Sequence, residues 1–200
     1  MPRGLLLLVC GTGVCCTVGC RPASDAPAGA SSEATSEATS GAASATPTAV
    51  ITPAVVTDST LGPLRIGMRI PDAVQAVPGV QMAPNADPQG CSYLVWPTAP
   101  TGVLVMVEDN TLVRIDVTKA GLATTAGAQV GDSIARLDSL YPGRTSVGPH
   151  KYVPTGRYVT VTPPAGADPR LRLIFETDRG RVTRYRIGRT PAVEYVEGCY

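Results

Sequence analysis

Hydrophobic and polar positions divide the chain into three stretches. Leu5 to Val18 is 14 residues without a charge, preceded by Arg3. Residues 21–57 show no periodicity: Ala, Ser, Thr, Pro and Gly fill 29 of 37 positions, no aromatic occurs, and Ser32-Glu33-Ala34-Thr35 repeats at once as Ser36-Glu37-Ala38-Thr39. From residue 59 the pattern becomes regular. Ile70, Ala73, Val74 and Val77 recur at helical spacing, as do Ile134, Leu137 and Tyr141, with Pro71 suited to a first turn and Asp132 or Ser133 available as N-cap. Pro78-Gly79 and Pro142-Gly143 end both helices, since Pro breaks the ladder and Gly accepts positive φ. Strand patterns follow each helix: Cys91–Trp96, Val103–Val107 and Leu112–Val117, then Tyr152–Val161, Leu171–Glu176 and Val182–Ile187. Glu108-Asp109-Asn110-Thr111 and Thr177-Asp178-Arg179-Gly180 read as hairpin turns, and Val193 and Tyr195 as a last edge strand.

The regular part is similar to itself. Ile66-Gly67-Met68 aligns with Val130-Gly131-Asp132, and Pro78-Gly79 with Pro142-Gly143, at an offset of 64. Leu112-Val113-Arg114-Ile115-Asp116-Val117 aligns with Val182-Thr183-Arg184-Tyr185-Arg186-Ile187 at 70, which places an insertion in the loop Pro163–Pro169. The expectation is an α+β fold built from two tandem repeats, about 61–120 and 125–190. Each is a short helix packed on a three-stranded antiparallel meander. Residues 59–200 hold all nine aromatics and are long enough for one hydrophobic core.

An apolar run of 14 residues is short of the roughly 20 that span a bilayer and fits a signal-peptide core. It closes on Thr17-Val18-Gly19-Cys20, which resembles the lipobox of bacterial lipoproteins. That resemblance implies a signal over 1–19, cleavage before Cys20 and a lipid on its sulfur; ordinary secretion with a free Cys20 is the alternative. Several acyl chains, at about 0.8 kcal/mol per buried CH₂, make such an anchor stable. Family members held at the inner membrane usually carry Asp next, whereas Arg21 follows here. The resemblance therefore implies an outer-membrane lipoprotein facing the periplasm, attached to the membrane by its lipid. Residues 20–58 then read as the lipidated Cys and a disordered tether, with an r.m.s. reach of about 35 Å.

The pattern Gly67-Met68…Ala73-Val74…Pro78-Gly79 followed by Tyr93 resembles the repeat of SmpA/OmlA-type outer-membrane lipoproteins and of tandem β-lactamase-inhibitory proteins. Arg114-Ile115-Asp116-Val117 and Val130-Gly131-Asp132 also resemble envelope-stress-regulated lipoproteins. These resemblances imply a fold, and a fold by itself does not give a function.

Candidate chemistry is sparse. With Cys10, Cys15 and Cys16 in the signal and Cys20 lipidated, Cys91 and Cys199 remain. In an oxidising periplasm an even remainder reads as a structural disulfide, and the absence of Cys-x-x-Cys disfavours a redox-active pair. His150 stands without a nucleophile motif and reads as an incidental loop residue. Glu108, Asp109, Glu176 and Asp178 read as turn carboxylates at the surface. No metal, cofactor or catalytic set is expected. Net charge +1 and a pI near 7.6 exclude a basic nucleic-acid binder. Residues 121–200 nevertheless carry 11 basic and 7 acidic groups. Arg184 and Arg186 share one strand face, with Arg114 and Asp116 at the equivalent places. That face is either simply solvated or a surface for an envelope protein or anionic glycolipid. The expected function is non-enzymatic binding of a protein or envelope component. An inhibitor of a periplasmic hydrolase is the alternative, and an unrecognised hydrolase the third.

Overall fold

The computed structural model describes residues 55–87 and 89–199. The expected signal, the expected lipid site Cys20 and the expected tether as far as residue 54 lie outside the described residues; the tether's expected last stretch is not loose, because Val56 is buried and bridges to Leu61 and Thr124. Ten strands and two helices follow in the order β1 (Thr60–Leu61), β2 (Leu64–Arg65), α1 (Ile70–Ala76), β3 (Gln81–Met82), β4 (Ser92–Val95), β5 (Val103–Glu108), β6 (Thr111–Val117), α2 (Ile134–Leu140), β7 (Thr145–Pro149), β8 (Gly156–Val161), β9 (Leu171–Asp178) and β10 (Arg181–Arg189). The fold is α+β, with short helices on a mainly antiparallel sheet. β1 and β2 form a small hairpin, and the other eight strands form one sheet in the order β3-β4-β5-β6-β10-β9-β8-β7. After β6 the chain crosses to the far edge through α2, then returns strand by strand until β10 pairs with β6 at the centre.

Alternation divides the sheet into two faces. Val105, Ile115, Val117, Val159, Leu173, Phe175, Tyr185 and Ile187 point to the helix side and are buried together with Ile70, Ala73 and Val77 of the α1 region and Leu137 and Tyr141 of the α2 region. Phe175 lies against both Tyr141 and Tyr185, with ring centroids 6.1 and 5.5 Å away. Burial pushes the phenol of Tyr185 upward, and its hydroxyl donates to the Leu122 carbonyl.

Each helix is pinned to its own half in the same way. The Gly67 N–H donates to Leu112 O, the Leu112 N–H to Met68 O and the Ile70 N–H to Asn110 O. The second half repeats this: Gly131 N–H to Val182 O, Val182 N–H to Asp132 O, and Ile134 N–H to Gly180 O. Asp132 can stand where the first half has Met68 because that position works through its carbonyl. Its carboxylate instead accepts from the Gln129 N–H and pairs with Arg136. Gly79 (φ +81°) and Gly143 (φ +69°) take the left-handed turn after the helices. Asp109-Asn110 and Arg179-Gly180 are all at positive φ, as tight hairpin turns matching strand twist require.

Three expectations change. Each half contributes four strands to the large sheet, because β3 and β7 add outer strands that carry too little apolar alternation to read. The run Tyr152–Val161 is a strand only from Gly156, since Pro154 falls in the β7–β8 turn. Residues 192–194 form a 3-10 helix rather than an edge strand: β10, which they follow, already has β6 and β9 on its two sides, so the chain leaves the sheet plane there. In α1, Val74 is 43% exposed, the buried stripe of this two-turn helix being Ile70, Ala73 and Val77. In α2 the Ser133 side chain accepts the Arg136 N–H. Ser133→Ala is expected to cost about 1 kcal/mol in thermal unfolding.

Candidate functional site

The sheet face opposite the helices carries Arg114 and Asp116 on β6, Arg184 and Arg186 on β10, Glu176 on β9 and Tyr158 and Thr160 on β8. Register brings them into rows: Asp116 faces Arg186, Arg184 faces Glu176, and Glu176 faces Tyr158. The expected open sheet surface does not hold at three of its four positions. Arg114, Asp116 and Arg186 are buried, at 5%, 4% and 2% exposure; only the Arg184 side chain, half exposed, faces out. What covers them is the C-terminal strap, residues 190–199.

The strap turns at Pro191, buries Ala192 and Val193, and crosses β10 and β6. Its carbonyls meet the arginines. Arg114 Nη1 donates to Tyr195 O (2.6 Å) and Ala192 O (3.4 Å), and Arg186 Nε to Val193 O (2.6 Å). Arg114 also grips Asp116 with two hydrogen bonds, of 2.8 and 2.6 Å. The strap's far end is fixed by the Cys91–Cys199 disulfide, with Cα atoms 5.3 Å apart. Gly188 makes the close approach possible. A Cβ there would stand 2.6 Å from Val113 O and 3.1 Å from Val193 Cβ. Gly188→Ala is therefore expected to lower the melting temperature by the equivalent of about 1–3 kcal/mol, and an unchanged melt would mean that neither the β6 backbone nor the strap stands this close to β10.

Beside the strap sits a second cluster, built on residues that sequence reasoning set aside. Glu176 is 3% exposed, not a surface turn residue. Its carboxylate accepts from Arg186 Nη1 and pairs with Arg184 Nε at 2.9 Å. Plain hairpin register from the Arg179-Gly180 turn would set Thr183 opposite Glu176; a bulge between Val182 and Arg184 brings Arg184 there instead, which no sequence signal announces. His150 is equally enclosed. The Tyr152 and Val153 N–H groups donate to its Nδ1, so Nε2 carries the proton and donates to Glu176 Oε2 at 3.3 Å. The ring of Tyr158 stacks on the imidazole at 4.5 Å. The Tyr158 hydroxyl is buried and has no hydrogen-bond partner among the described residues.

Burial works to raise the Glu176 carboxyl, but Arg186 and Arg184 outweigh it and hold the group below its ordinary value of 4.5. A carboxyl depressed on folding contributes stability that is complete above the unfolded value and lost as pH falls through the folded one. Stability is therefore expected to drop below about pH 4.5. Urea titrations of Glu176→Gln should show a flatter acid limb.

Between this cluster and the strap lies a cleft of about 170 Å³, lined by Tyr158, Thr160, Ile174, Arg186, Glu194 and Val196. Among the described residues no group of three His, Cys, Asp or Glu is placed to hold a metal. No described helix is long and apolar enough to cross a membrane. Trp96 and Tyr93 stand away from the cleft: Trp96 donates to Thr98 Oγ1, and the Tyr93 hydroxyl lies against Gly198 of the strap.

No family model matches the chain, and no curated protein matches it. Among solved structures it is similar to the uncharacterized protein YfeY of Escherichia coli, at 14% identity and a TM-score of 0.42, over 68% of this chain and 99% of that one. It is also similar to an extracellular protein containing an SCP domain from Bacillus anthracis, at 9% identity and a TM-score of 0.38, over 62% of this chain and 44% of that one. Neither likeness bears on activity, so what the site does is read from its own geometry.

Proposed function

We propose that the protein is a non-enzymatic, lipid-anchored binding protein of the cell envelope, facing the periplasm, which grips a partner protein through the cleft beside its C-terminal strap. The anchor and compartment rest on the lipobox at Cys20 and on Arg21. The binding reading rests on one observation, the cleft of about 170 Å³ whose lining residue Tyr158 has a buried hydroxyl with no partner among the described residues. Cofactor- and drug-sized ligands fill about 300–1,000 Å³, so this cleft has room for one large side chain of a partner. Ile174 and Val196 supply an apolar wall for such an anchor, and the half-exposed Arg184 stands at the rim for an acidic neighbour. His150 and Glu176 spend their hydrogen-bonding capacity on each other, on backbone N–H groups and on arginines, which favours holding over proton transfer.

The two halves are proposed to be copies of one ancestral unit. The equivalent helix-pinning bonds and the fixed offsets of α1 to α2 and of the two hairpin turns support this.

The test is affinity capture from an envelope extract with a form lacking residues 1–20, beside the same form carrying Val196→Arg. A captured envelope protein whose affinity falls at least tenfold with Val196→Arg supports the reading. Equal capture by both forms rules out the cleft. Capture of a hydrolase that loses activity in the complex turns the role into inhibition. Retention on vesicles of anionic glycolipid, without any protein, makes the partner a lipid. A bond-cleaving activity that His150→Ala abolishes overturns the binding reading.

A further inference from the structure

The strap is held at two ends by different means. Its near end is buried: Ala192 and Val193 are covered, and Arg114 and Arg186 donate to three of its carbonyls. Its far end depends on the Cys91–Cys199 bond. Between them the holds among the described residues are side-chain ones at the surface: Tyr195 hydrogen-bonds Glu108 and the Tyr93 hydroxyl lies against Gly198. Glu197 is exposed and pairs with Lys151 at 3.4 Å, with both side chains more than half exposed, a kind of pair that contributes little. Val196, which walls the cleft, lies in this span, two residues before Gly198, where the backbone passes Tyr93 at positive φ. Both cysteines are half-buried rather than enclosed.

We infer that the Cys91–Cys199 bridge is a latch on the cleft. Closed, it fixes Val196 as one wall; opened by an external dithiol, it frees residues 196–199 while the near end of the strap stays docked. The chemistry is thiol–disulfide exchange. A thiolate of the dithiol attacks one protein sulfur and expels the other as a thiolate, which takes up a proton. The second thiol of the reagent then attacks the mixed disulfide. The protein gains two electrons and two protons as two thiols, and the reagent leaves as a disulfide. The Tyr158 hydroxyl, which has no partner among the described residues, belongs to a residue lining the same cleft, so moving the Val196 wall widens the cleft and uncovers this ring. The consequence for the partner rests on the proposed function above; the latch itself does not.

Tyrosine nitration reads the latch directly. The full chain is treated with tetranitromethane in three forms: oxidised, reduced and alkylated, and Cys91→Ser/Cys199→Ser. Modified sites are located by mass spectrometry. Tyr152, 55% exposed, serves as the reactive reference and Tyr185, 1% exposed, as the shielded one. The latch predicts that nitration of Tyr158 relative to Tyr152 rises at least fivefold in both open forms, while Tyr185 stays protected. Unchanged Tyr158 overturns it, because the strap then holds without the bond. Equal gains at Tyr158 and Tyr185 also overturn it, because the bond then holds the whole fold. If Tyr158 opens but no partner is captured in either state, the latch stands and the partner reading falls. If Tyr158 stays closed while Val196→Arg abolishes capture, the partner reading stands and the latch falls.

Discussion

Arg186→Leu is expected to lower stability by about 3–5 kcal/mol, measured by urea unfolding at neutral pH. The guanidinium is 2% exposed, it supplies one of the charges that keep Glu176 ionised, and its Nε is the donor to Val193 O. Leucine fills most of the space but leaves a carboxylate 3% exposed with its nearest buried counter-charge gone, and a strap carbonyl without its donor. Arg184 remains on Glu176 Oε2, and because its side chain is half exposed it recovers only part of the loss, so the lower end of the range is expected. The double variant Arg186→Leu/Glu176→Leu separates the terms: removing both charges should regain most of the stability. A loss under 1 kcal/mol in the single variant would mean that strap and pair are open to water.

Cys91→Ser/Cys199→Ser is the second large effect, with an expected loss of about 4–5 kcal/mol as an upper figure from the chain-entropy account. The closed loop is long, with 108 residues separating the cysteines. It runs from just before β4 to the end of the strap, so it encloses β4 to β10 and spans the β6–β10 seam where the two halves meet. Without it the unfolded chain regains the freedom of nearly the whole domain, whereas the folded chain loses contacts only at the strap. The loss should therefore appear in the equilibrium midpoint under oxidising conditions, with Cys91→Ser and Cys199→Ser each close to the double variant. A double-variant loss below 1 kcal/mol would show that the unfolded chain is already compact enough for the bond to constrain nothing.

These two residue sets differ in how far they can be read from the chain. The helix starts, the two hairpin turns and the Pro-Gly stops were legible because each is a local conformational preference. Ser133 caps and Pro71 begins a helix for reasons contained within four residues. The disulfide was legible for a different reason: with Cys10, Cys15 and Cys16 assigned to the expected signal and Cys20 to the expected lipid, a single pair is left. Arg184 and Arg186 were placed correctly on one face by alternation, yet their environments are opposite, one half exposed and one buried. Alternation states which way a side chain points and is silent about what lies above it. Glu176 and His150 were passed over because each, taken singly, looks like an ordinary polar residue. The cluster exists only once β8, β9 and β10 are side by side and the β7–β8 turn is folded over them.

The sequence alone therefore determined the α+β class, the helix and the three strands that follow its outer strand in each half, and the tight turns, and it left Cys91 and Cys199 as one pair once the other four cysteines go to the expected signal and lipid site. All follow from local backbone energetics or from the parity of a count. The tertiary structure decided that both halves share one eight-stranded sheet through β6 and β10, and that the charged face between them is covered by the chain's own C-terminal strap. That outcome depends on a carbonyl at 193 meeting a guanidinium at 186, and on carbonyls at 192 and 195 meeting one at 114. Such long-range hydrogen bonds are worth making only when water is excluded from both partners, and which segments exclude it is a property of the packed molecule.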